Sequence, residues 1–134
     1  MYFKWLLIIA IFWLGSCASL DDAGRAYFRQ GNKVKGVEPA PLLVERMRKE
    51  QKLREIMYGQ AKAEKLIQCT LLRNQLYVAS MKKTTKELEE VTRLMETAYQ
   101  ESDDAFLTTC EQIIATKIGR LFIAIQHQYL IQER

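Results

Sequence analysis

The side chains best suited to covalent chemistry in this chain are its three cysteines, Cys17, Cys69 and Cys110. A thiolate is a nucleophile and a metal ligand, and two thiols in an oxidising compartment close to a disulfide. The spacing gives metal binding no support, because the one histidine, His127, has no Cys, His or carboxylate partners at ligand separations. Acid–base catalysis would need two carboxylates converging on one point. Asp103-Asp104 and Glu89-Glu90 are sequence neighbours, and neighbours on a helix point in different directions. The chain has no Walker loop, no G-x-S-x-G, no H-E-x-x-H and no glycine-rich dinucleotide turn. The residues therefore predict no catalytic group, no metal, no soluble cofactor and no small-molecule substrate, and an enzyme of unrecognised kind is the least supported class.

Cys17 closes a leader. Met1 to Lys4 carries one lysine, Trp5 to Leu14 is unbroken apolar, and Gly15-Ser16 are small, which is the order of a secretory signal and its cleavage site. A membrane-spanning helix needs about 20 apolar residues, roughly twice this run. The four residues Leu14-Gly15-Ser16-Cys17 resemble the lipobox of bacterial lipoproteins. That resemblance implies cleavage between Ser16 and Cys17, a diacylglyceryl group on the Cys17 thiol and an acyl group on its new amine. A conventional cleavage site beside an ordinary cysteine is the alternative. In lipoproteins of two-membrane bacteria an aspartate after the cysteine commonly retains the protein at the inner membrane. Here Ala18 and Ser19 follow, so the resemblance implies an outer-membrane anchor facing the periplasm. Two or three acyl chains, at about 0.8 kcal/mol per buried methylene, hold a protein stably on a bilayer.

Residues 1–16 are thus read as signal peptide, 17–40 as lipidated N-terminus and linker with a short helix possible from Leu20 to Gln30, and 41–134 as a helical domain. Cleavage leaves about 118 residues, the size of one domain. The formal charge of the whole chain is +4. A modest excess without a clustered footprint does not point to nucleic acid; anionic lipid or an acidic protein is the better match, and a solvated surface better still. Gly36, Pro39 and Pro41 break regular structure within the linker.

Beyond Pro41 there is no proline, glycine occurs only at Gly59 and Gly119, and strong helix formers dominate. The composition predicts an all-α fold, a small bundle of three to four helices. One helix is expected from Pro41 through Ala79. A second follows a capping box at Thr84 and Glu87, with a stripe of Leu88, Val91, Met95 and Ala98. A third, capped by Ser102, is expected to continue to Gln132. Turns near Lys82 and Ser102 bring the third helix back parallel to the first, so that Cys69 and Cys110 come level and a disulfide is predicted; two buried free thiols are the alternative. The overhang of the long helices would be relieved by a bend at Gly59 or Gly119.

The segment from Ile118 to Ile125 is apolar almost all round. It is either the central helix of the bundle or, through Ile118, Leu121, Phe122, Ile125 and Tyr129, a docking surface for another protein. The functional expectation is a lipid-anchored envelope protein that acts as an interaction module, an accessory subunit of a secretion- or conjugation-type assembly. Helical pilotins look similar in overall plan only. The alternative is a coiled-coil spacer between membrane and cell wall.

Overall fold

The computed structural model describes the backbone of residues 20–82 and 85–132, and their side chains except for 51–58, 131 and 132. Six α-helices account for nearly all of them: α1 (20–30), α2 (Ala40–Tyr58), α3 (Gln60–Lys82), α4 (Lys86–Glu101), α5 (Asp103–Ile114) and α6 (Lys117–Gln132). The fold is all-α as the composition predicts, but three to four helices is too few. Both long helices read from the sequence are broken.

The first break is at Gly59, whose φ of +84° lies in the left-handed region that ends helices and that glycine alone adopts without strain. The second is the corner between α5 and α6. Thr116 caps α6, its Oγ1 accepting from the Gly119 N–H at 3.2 Å, and Gly119 lets the first turn of α6 press on the last turn of α5. The chain thus breaks at Gly59 and at Ala115-Thr116, with Gly119 inside the first turn of α6. The start of α4 is set by Thr85, whose hydroxyl accepts from the Leu88 N–H at 3.1 Å, one residue later than the capping box at Thr84 would place it. Ser102 caps α5 as expected, accepting from the Ala105 N–H at 3.1 Å.

The central helix is α3. Its residues are buried on nearly every side, because α2, α4, α5 and α6 all pack against it. Cys69 on α3 and Cys110 on α5 form a disulfide with Cα atoms 5.9 Å apart. About two turns before the disulfide Lys62 reaches Asp104 at 2.9 Å, and Lys65 contacts Glu111, so α3 and α5 run parallel, as two reversals of the chain require. The α6 helix runs antiparallel to α3, with Phe122 beside Gln75 and Gln126 beside Gln68.

The described part of the segment read as a linker belongs to the packed body. Ala23, Ala26 and Tyr27 of α1, with Ala40, lie in the core.

Candidate functional site

A buried polar network fastens α1 to the bundle. Gln75, fully buried on α3, donates from Nε2 to the carbonyl oxygens of Gly24 (2.6 Å) and Phe122 (3.2 Å). Gln126 of α6 donates in turn to Gln75 Oε1 at 3.2 Å and to the Gln68 carbonyl at 3.3 Å. Beside it the buried Tyr27 hydroxyl donates to the Glu38 carbonyl at 2.7 Å and accepts from Asn74 Nδ2 at 3.3 Å. Burial pushes the Tyr27 phenol above its ordinary pKa, against a smaller opposing effect of the Asn74 hydrogen bond. One α3 side chain thus bonds two backbone carbonyls on different helices. Gln75→Leu leaves both without that donor and is expected to cost about 2–4 kcal/mol. The check is a lowered urea midpoint, with faster amide exchange concentrated in α1. Sequence reading missed this network, although Gln75 has Leu71 four residues before it and Ala79 four residues after, the spacing of an apolar face.

The face proposed from sequence as a docking surface is mostly core. Ile118, Phe122 and Ile125 are at most 3% exposed, and Leu121 is half-buried. Tyr129, also half-buried, stacks on Phe28 with ring centroids 4.6 Å apart. Their apolar surroundings are filled by α1, which packs so closely that a Cβ on Gly24 would lie 2.6 Å from Ile125 Cδ1. Burial under α1 is why an all-round apolar helix is tolerated here. Ser16 and Cys17 lie outside the described residues.

What the surface offers instead is a cleft of about 590 Å³ lined by residues of α2, α3 and α6. Ile67 and Leu71 form its floor, Val44 and Leu130 its apolar walls, and Arg48 and His127 its rim. Arg48 makes no ion pair among the described residues, whereas Lys49 pairs with Glu45 at 3.3 Å. His127 is exposed at this rim, and no cluster of three potential metal ligands occurs among the described residues. Asp104 is engaged by Lys62, and Glu89 and Glu90 are exposed on α4, so the adjacent carboxylates do not converge. The cleft joins an apolar floor to a polar edge that carries Arg48, Glu64, Lys65 and His127.

No helix among the described residues is long and apolar enough to cross a membrane. No family model, curated protein or solved structure matches the chain.

Proposed function

We propose that this protein is a lipid-anchored envelope protein, held by acyl groups on Cys17 at the outer membrane and facing the periplasm. Its bundle serves as a protein-interaction module in a secretion- or conjugation-type assembly. The observation that carries the reading is Leu14-Gly15-Ser16-Cys17 at the end of an apolar leader, three residues before a packed bundle begins. The Cys69–Cys110 disulfide supports it, since structural disulfides persist in oxidising compartments outside the cytosol. The cleft beside Arg48 and His127 is the surface best suited to a protein partner. A compact module is favoured over a coiled-coil spacer because the longest described helix has 23 residues, about 35 Å, and is enclosed by its own chain.

Metabolic labelling with palmitate tests the anchor. The wild-type protein is expected to incorporate label and to fractionate with the outer membrane. Cys17→Ala is expected to incorporate none and to leave that fraction. An unlabelled wild type, or a Cys17→Ala protein that fractionates unchanged, overturns the proposal.

A further inference from the structure

We infer that a pocket of about 260 Å³ beside the connection between α1 and α2 binds the C-terminal residue of a partner polypeptide, Asn74 taking its amide N–H and Lys35 its carboxylate. The site is independent of the lipid anchor and of the cleft beside Arg48, and stands or falls apart from both.

Asn74 of α3 sets this pocket apart from an ordinary surface hollow. It is only 9% exposed, and its Nδ2 donates to the Tyr27 hydroxyl at 3.3 Å. The Tyr27 proton is committed to the Glu38 carbonyl, so the hydroxyl can only accept from Asn74, and this fixes which way the amide is turned. Asn74 Oδ1 is left facing away from Tyr27 and accepts from no donor among the described residues. No side-chain oxygen sealed from solvent lacks a partner among those residues, so Oδ1 opens to the surface, and Asn74 lines this pocket. A nearly buried acceptor held in one orientation favours a ligand that brings it an N–H.

The facing wall is a tight turn. The Val37 N–H donates to the Val34 carbonyl at 3.2 Å, which puts Lys35 and Gly36 at the centre of the turn. Gly36 has a φ of +87°, and a Cβ there would meet nothing within 4 Å, so nothing covers the backbone at that point. Lys35 is exposed and has no ion pair among the described residues. Arg73 and Glu96, which also line the pocket, hold each other through hydrogen bonds of 2.8 and 3.2 Å, and the Arg73 guanidinium lies 3.8 Å over the Tyr99 ring. The one acid of the connection, Glu38, is held by Arg46 at 2.8 Å. Lys35 and Arg73 against Glu96 leave the lining with one positive charge in excess. That balance suits a carboxylate beside a neutral N–H, the two groups that a C-terminal residue carries on one Cα; a free amino acid would bring an ammonium against Lys35 and Arg73. Tyr77, 41% exposed, and Val37 give the residue's side chain an apolar wall. The volume falls below the roughly 300 Å³ at which ordinary ligand pockets begin, a size for a chain end rather than a folded epitope.

The test titrates N-acetyl amino acids, one for each standard side chain, to millimolar concentration into the isotope-labelled protein, purified in detergent as the cell processes it, and follows amide shifts by NMR. At least one compound is expected to bind saturably, with its largest shifts at the Asn74 side-chain amide and at the Gly36 and Val37 backbone N–H groups. The same compound with its carboxylate converted to an amide, and the free amino acid, are each expected to bind about tenfold more weakly. Lys35→Gln changes an exposed side chain and is expected to weaken the N-acetyl acid about tenfold while leaving the amidated compound unchanged. Asn74→Ala is expected to abolish the shifts at Gly36 and Val37, and Lys35→Gln keeps the site testable where Asn74→Ala does not fold. No saturable shift with any compound overturns the site. So does an amidated compound that binds as tightly as the acid, a Lys35→Gln protein with unchanged affinity, or shifts confined to the cleft beside Arg48.

Discussion

Gly119→Ala is expected to destabilise the protein by about 3 kcal/mol or more, beyond the usual range for overpacking. A Cβ at this position would lie 1.9 Å from the Ile113 carbonyl oxygen, 2.6 Å from its carbonyl carbon and 2.8 Å from Ile114 Cα. All three atoms are backbone, so no change of rotamer relieves the clash. The corner must open, and opening it separates the Gly119 N–H from the Thr116 hydroxyl that caps α6. Two other glycines calibrate the effect. Gly59→Ala meets nothing within 4 Å and bears only the cost of its positive φ, about 1–2 kcal/mol. Gly24→Ala meets the tips of Ile125 and Phe122, side chains that can shift. Urea denaturation of the three variants should therefore give Gly119→Ala the lowest midpoint by a clear margin. A midpoint equal to that of Gly59→Ala would mean that α5 and α6 do not meet as described.

The stripe Leu88, Val91, Met95 and Ala98, the Ser102 cap and the parallel return of Cys110 to Cys69 were all legible in the sequence, because each depends on local periodicity or on counting residues between turns. The positions of the helix breaks were less so. Leucine-, alanine- and lysine-rich sequence continues through Gly59 and Gly119, and propensity alone scores a single glycine as a loss of about 1 kcal/mol rather than a stop. Thr116 followed three residues later by Gly119 carries the missing signal, a cap placed one turn before a residue without a side chain. The Ile118–Ile125 segment was ambiguous for a different reason. Its apolar character states that it is covered but not by what, and the cover is α1, more than ninety residues earlier in a stretch whose short helix looked separable from the domain. The cleft depends on how far α2 stands from α6, a tertiary relation with no periodic trace.

Removing the disulfide is expected to lower stability by about 4 kcal/mol, a large share of the 5–15 kcal/mol typical of a domain this size. The bond closes a loop with a sequence separation of 41, and closing a loop of that length restricts the unfolded chain by about this amount. Cys69→Ala with Cys110→Ala is the suitable double variant, since both residues are buried and serine would bury two hydroxyls. All of α4 lies inside the closed loop and packs on α3 and α5, the two helices that the bond joins. In the double variant amide exchange should therefore accelerate most in α4 and α5, while α1, which lies outside the closed loop and is held by Gln75 of α3, keeps more of its protection. Cys69 is 1% exposed and Cys110 is fully buried, so thiol trapping in the native protein should stay low under reductant and rise only as urea opens the bundle. The same dependence bears on location. Synthesised without its leader in a reducing cytosol, the chain is expected to show the stability of the double variant, and to regain the difference on oxidation in vitro. Equal midpoints for the oxidised and reduced forms would show that helix packing alone holds α3 against α5, and would remove the disulfide as support for an exported protein.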